Sequence, residues 1–129
     1  MPAIKCRKTK EDTMSVLQNV EKLNKAILEG RALEAFEEMY ADNVVMQENN
    51  NPPVVGKDAN RQREKEFFGN ITAFHGAEVK NVATGENLSM VEWTMEYEHK
   101  EWGHVKSHQV TVQEWENDKI VREHFFYGS

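Results

Sequence analysis

The hydrophobic period of this chain changes once, near residue 70, and that change limits the fold more than any other feature. Before it, apolar residues recur at three- and four-residue steps. After it, they alternate with polar ones. Residues 12–28 put Val16, Val20, Leu23 and Ile27 on one face, beside Leu17, Asn24 and Leu28, with Lys and Glu opposite. That spacing predicts an amphipathic helix. Asp12 or Thr13 suits its N-cap, and Gly30 a left-handed C-terminal end. A short second helix carries Leu33, Phe36 and Tyr40. Residues 44–48 read as a strand, and Asn49 to Pro53 as a turn. A charged helix follows over 57–68, with few apolar residues to mark a buried face. From residue 73 the period is two, with strands expected near 74–83, 87–100, 104–116 and 119–127. Gly85-Glu86-Asn87, Glu101-Trp102-Gly103 and Asn117-Asp118 mark the hairpin turns. Helices first and a run of antiparallel strands second predict an α+β domain, its helices covering one face of a curved sheet.

A chain of 129 residues is the size of one domain. It can bury roughly two-thirds of its unfolded surface, so it needs neither disulfides nor a metal to fold. The longest apolar runs are a few residues, too short for a membrane helix. The net charge of -6 argues against nucleic acid as a partner. Residues 1–11 are expected to form a basic flexible leader, with Lys5, Arg7, Lys8 and Lys10, ahead of a single domain over 12–129. The one cysteine, Cys6, lies in that leader and excludes an internal disulfide framework. The leader lacks the apolar core of a secretory signal, so the expected location is cytoplasmic, with no membrane partner.

Strand alternation sorts side chains into two faces. Val91, Trp93, Met95, Tyr97 and His99 share one face of their strand, and Glu92, Glu96 and Glu98 the other. On the next strand Gln109, Thr111, Gln113 and Trp115 oppose His108, Val110 and Val112. On the last, Val121, Glu123, Phe125 and Tyr127 oppose Ile120, Arg122, His124 and Phe126. A sheet covered on one side should show one clean apolar set per strand. Here both faces carry apolar residues. Either the outer face is covered by a second subunit, or the inner face lines a polar cavity.

Four segments together resemble a known family: Gly30 to Phe36, Met39 to Val44, Pro52 to Gly56, and Trp115 to Glu123. Their order and spacing are similar to the SnoaL-like branch of the nuclear transport factor 2-like superfamily. The resemblance implies a cone-shaped curved antiparallel sheet, wrapped by about three N-terminal helices around a pocket. It also implies a homodimer through the outer sheet face. Such relatives include polyketide cyclases, dehydratases, isomerases and non-catalytic binding proteins, so fold alone does not assign function.

The ketosteroid isomerase pattern within that family implies a carboxylate base at the end of the first strand, and Glu48 falls there. Val44 and Met46 share its parity. A carboxylate on that face is desolvated and basic, or, if the strand frays, solvated beside Asn49 to Asn51. The pattern's other groups are missing. Its helix tyrosine falls at Leu23 or Asn24, and its aspartate at Thr111, so classical steroid isomerisation is not expected. Gln109, Thr111, Gln113 and Tyr127 remain to position an oxygen, unless that parity faces solvent. Glu123 is either a second site carboxylate or a partner for a basic side chain. Met46, Trp93, Met95, Tyr97, Trp115 and Phe125 complete the expected ligand wall, which suits a small apolar or aromatic molecule. His99 and His108 have opposite parities and His104 adjoins a turn, so no metal is expected, and no cofactor. The expected function is binding of a small, mainly apolar ligand in the cone, with proton-transfer chemistry such as cyclisation, isomerisation or dehydration. The alternatives are a non-catalytic carrier or sensor, or a dimeric interaction module.

Overall fold

A computed structural model describes residues 15–128. The basic leader, Cys6 and the expected caps Asp12 and Thr13 lie outside the described residues. Helix α1 (Val16–Leu28) is capped by Ser15. Its hydroxyl accepts from the Gln18 N–H at 3.1 Å, and the Gln18 side chain accepts from the Ser15 N–H at 3.0 Å. This reciprocal box satisfies two orphan donors of the first turn. The helix ends as expected at Gly30, whose φ of +81° costs a glycine little. α2 (Ala32–Met39) leads directly into β1 (Tyr40–Glu48). The strand β2 (Val54–Val55), α3 (Lys57–Gly69), β3 (Ile71–Thr84), β4 (Leu88–His99), β5 (Gly103–Glu116) and β6 (Lys119–Tyr127) follow.

The sheet runs β2-β1-β6-β5-β4-β3, with edges that do not join. β1 and β6 pair in parallel and every other pair is antiparallel. Three register shifts along β3 break its regular pairing with β4; such bulges bend and twist a sheet. The β5–β6 hairpin turns on Asn117 and Asp118, both at positive φ, the geometry that matches strand twist. The Asn19 amide reaches across to the Asp118 carboxylate at 3.0 Å, fixing the start of α1 against that turn.

The core lies between helices and sheet. Val20, Leu23, Phe36, Met39, Val44, Met46, Val91, Trp93, Trp115 and Ile120 are buried together. Ile120 corrects the strict alternation expected of the last strand. A register shift between Glu114 and Trp115 pairs Trp115 with Ile120, while Gln113 still pairs with Glu123. The bulge turns Ile120 inward, so it leaves the outer face and joins the core.

Candidate functional site

Two carboxylate sites occupy the inner face, one sealed and one at the rim. The sealed site is built by register. Ser89 on β4 pairs with Gln113 on β5, which pairs with Glu123 on β6, which pairs with Met46 on β1. Their side chains form a directed chain. The Trp115 Nε1–H donates to Ser89 Oγ at 2.9 Å, and the Ser89 hydroxyl donates to Gln113 Oε1 at 2.6 Å. The Gln113 amide donates to Glu123 Oε2 at 2.8 Å, and the Tyr40 hydroxyl donates to Glu123 Oε1 at 2.6 Å. An indole N–H can only donate, so the direction is set at Trp115 and Glu123 is the final acceptor. Glu123 is 3% exposed. Burial pushes its carboxyl up to about 7, although both hydrogen bonds favour the charged form. Its partners are thus an amide and a phenol, not a basic side chain.

The rim site is centred on Glu48, whose side chain is 34% exposed. One oxygen accepts from the Tyr127 hydroxyl, and the other pairs with Arg63 on α3 at 2.5 Å. Glu48 is therefore neither a dry apolar carboxylate nor one solvated among asparagines. Burial, with the carboxylate beside it, raises the Tyr127 phenol to about 12, and burial raises Tyr97 in the same direction. The Tyr127 N–H is held by the Asn49 side chain at 3.0 Å, which ties the end of β6 to the end of β1.

The expected wall residues divide between these levels. Met46, Trp93 and Trp115 belong to the dry core, with Met95 and Phe125 packed against it. Thr111 and Gln113 are buried, whereas Gln109 is partly exposed and donates to Thr111 Oγ1 at 3.2 Å. Tyr97 meets Phe67 edge-on at 5.7 Å. His99 lies on the inner face, stacked on Trp102 at 3.7 Å, while His75, His104 and His108 pair with Glu98, Glu96 and Glu92. Among the described residues no three His, Cys, Asp or Glu side chains converge on a metal position.

α3 supplies what sequence patterning missed. Asn60, Arg63, Glu64 and Phe67 recur at helical spacing where an apolar stripe would ordinarily lie. Asn60 is fully buried and donates to the carbonyls of Val54 and Gly56 at 3.0 and 2.8 Å. Burial raises the Glu64 carboxyl to about 8, the charges of Glu123 and Glu48 add to this, and Arg63 opposes it. The available signal was that polar stripe itself, on a helix held between two turns. Two grooves lie elsewhere. One of about 510 Å³ runs past His75, Glu96, Lys106 and His108, and one of about 650 Å³ past Leu28, Leu33, Phe68 and Phe74.

A family model for the SnoaL-like domain matches residues 13–127. This chain belongs to the SnoaL-like family. Its helices and open six-stranded sheet are the cystatin-like α+β fold of the nuclear transport factor 2-like superfamily. A SnoaL-like protein of Mesorhizobium loti superposes with a TM-score of 0.80 at 22% identity, covering 88% of this chain and 100% of that one. An LEH-like epoxide hydrolase of M. tuberculosis gives 0.72 at 14% identity, covering 90% and 84%. A protein of Catenulispora acidiphila with a ketosteroid isomerase-like fold, in complex with trimethylamine, gives 0.69 at 11% identity, covering 84% and 85%. Likeness at these identities concerns the fold. No curated protein matches the chain. None of its described helices is long and apolar enough to cross a membrane.

Proposed function

We propose that this SnoaL-like protein binds a small, mainly apolar molecule at the rim of its cone and performs proton-transfer chemistry there, with Glu48 as the base. The observation that carries this reading is the Glu48 carboxylate, partly open to solvent yet held at both oxygens by Tyr127 and Arg63. A base needs a fixed orientation and a path to substrate, and the rim supplies both. Gln109 pairs with Tyr127 in the sheet, and its amide keeps a second N–H for a substrate oxygen, while the single Tyr127 O–H orients Glu48. Phe67, Tyr97 and Phe125 supply apolar wall. Enolisation, isomerisation and dehydration all begin with removal of such a proton. Solved relatives include an epoxide hydrolase, which supports a catalytic use of this fold without specifying this one.

A non-catalytic carrier is the alternative. The existing ion pair with Arg63 favours it, because a carboxylate already neutralised serves orientation as well as chemistry. We also place the protein in the cytoplasm, as a homodimer whose outer sheet faces meet. Phe126, Met90 and Val110 support that pairing, being exposed apolar side chains on the sheet.

Native mass spectrometry of the freshly purified protein tests the binding reading. A co-purified small molecule is expected, and Gln109→Trp should expel it while leaving the thermal transition in place. Absence of any bound molecule, with no thermal shift across a library of apolar metabolites, overturns it.

A further inference from the structure

His99 ends β4 on the inner face and is 5% exposed. Its ring is held on several sides. The Trp102 indole lies nearly parallel to it at 3.7 Å, and Phe67 of α3 stacks at 6.2 Å. Phe67 also reaches Tyr97 at 5.7 Å and Trp102 at 6.3 Å, so the imidazole belongs to one aromatic group. The backbone there is tied down as well. His99 pairs with Gly103 across the turn and with Ile71 on β3. The Lys100 N–H donates to the carbonyl of Asn70, the residue that caps α3, at 2.7 Å. The Glu101 N–H donates to His99 Nδ1 at 3.1 Å. A ring nitrogen that accepts a hydrogen bond carries no hydrogen, so the imidazole hydrogen is on Nε2. That Nε2–H has no acceptor among the described residues. It is not one of the sealed unpaired atoms either, which are the Oδ1 atoms of Asn24 and Asn60. The donor therefore lies where His99 keeps its small exposure. The two imidazole nitrogens face away from each other, so with Nδ1 toward the turn, Nε2 is directed away from it. Tyr97 shares the inner face one strand repeat earlier, about 7 Å along β4. Burial and then the Glu48 charge push its phenol up, which links this end of β4 to the rim.

A fixed donor that the fold leaves unspent is available to a ligand. We infer that His99 is a specificity-determining contact of the rim, its Nε2–H donating to the carbonyl oxygen of a flat, largely aromatic ketone. This rests on the rim binding a small apolar molecule, and it names the group that recognises that molecule. The chemistry selects the class. Nε2 offers only a hydrogen, so the ligand must bring an acceptor. Phe67, Tyr97 and Trp102 surround the position with ring faces and edges, which suit a flat apolar body. A carboxylate would meet the Glu48 charge, which already disfavours ionisation of Tyr97 and Tyr127, so a neutral carbonyl fits better. The stacked ring is already oriented, so little freedom is lost when the bond forms. A hydrocarbon of the same shape would cover Nε2–H and leave it unpaired, so the site should discriminate against it.

Two measurements on the full chain test this. The first is nitrogen-15 NMR of the imidazoles at pH 8, with the His99 signals identified by their loss in His99→Phe. A bare Nδ1 and a hydrogen on Nε2 are expected. A hydrogen on Nδ1 overturns the inference, whatever the protein binds. The second titrates the protein with 2-tetralone and with tetralin, the same two rings without the oxygen. 2-Tetralone should bind more tightly than tetralin and should shift the His99 Nε2 resonance. His99→Phe keeps a ring against Trp102 and removes the donor. It should weaken 2-tetralone about tenfold and leave tetralin unchanged. His99→Gln, whose amide carries hydrogens near the Nε2 position, should recover part of the loss. Equal weakening of both compounds would mean that the ring only supports the fold, and overturns the inference. Binding of 2-tetralone that His99→Phe leaves untouched overturns this inference alone. Binding of neither compound to the unsubstituted protein defeats the rim reading and this one with it. If His99→Phe folds poorly, the Nε2 resonance of the unsubstituted protein decides the matter. A resonance that stays in place while 2-tetralone binds overturns the contact.

Discussion

The Tyr40 hydroxyl donates to Glu123 across 2.6 Å, joining side chains 83 positions apart in the chain. Tyr40 opens β1, and Glu123 lies on β6, the strand that pairs with β1 in parallel. The bond therefore crosses the one pairing that no hairpin could form. Tyr40→Phe removes a donor to a buried carboxyl. We expect a loss of about 1–3 kcal/mol at pH 9, where Glu123 is charged. At pH 6 the carboxyl is largely protonated and the loss should be clearly smaller. Urea denaturation at the two pH values measures the difference.

Stability should fall as pH rises past neutrality. Glu64 and Glu123 both start from an ordinary 4.5 and are raised to about 8 and about 7 in the fold. A carboxyl raised on folding binds its proton more tightly in the native state than in the unfolded chain. Its contribution is complete below about 4.5, declines above that, and is gone once pH passes the folded value. The two interact, so they should titrate as a pair and not as independent groups. The combined effect is on the order of a few kcal/mol. Thermal melts between pH 5.5 and 9 should show a falling Tm, and Glu64→Gln should flatten the slope. A Tm that rises over this interval contradicts the assignment.

Ser89 is the link on which the sealed chain depends. Ser89→Ala leaves the Trp115 N–H and the Gln113 carbonyl unpaired in a dry interior. The expected cost is about 2–4 kcal/mol. Trp115→Phe on its own removes the donor and adds a gap. The double variant should cost less than the two single losses added together, because both remove the same bond. Denaturant titrations of the four proteins decide it; strict additivity would mean the chain is not coupled.

The outer face predicts a two-fold pair. Phe126 is 44% exposed and stacks on His124 at 4.0 Å. Phe126→Asp should convert a dimer to a monomer in sedimentation at micromolar concentration without loss of helix or sheet. A monomer before substitution would overturn the pairing.

At the start of α1, Ser15→Ala should cost about 1 kcal/mol, because the capping box loses its hydroxyl. A thermal transition unchanged within error would show that tertiary contacts alone hold that turn.

Particular residues mark where sequence patterning succeeded and where it stopped. The alternation of Val91, Trp93, Tyr97 and His99 places them inside, and the pleat leaves no other choice once Glu92, Glu96 and Glu98 need water. Ile120 breaks the same rule, because a bulge is a local insertion that alternation cannot reveal. β2 was too short to carry a period. α3 was legible as a helix but not as a wall of the site. Asn60, Arg63 and Glu64 look like ordinary solvated residues until the sheet is seen to lie against them. Glu48 was legible by position, while its clamp by Arg63 and Tyr127, 15 residues after it and 79 after it, was not.

By itself the sequence determined the α+β class, the order of elements and the inward parity of most strands. These follow from local geometry, because helix and strand periods are set by bonds between near neighbours. Only the tertiary structure decided which polar groups are paired and which carboxyls are pushed toward neutrality. Those properties depend on water being excluded by side chains distant in the chain, and no local pattern records which segments will exclude it.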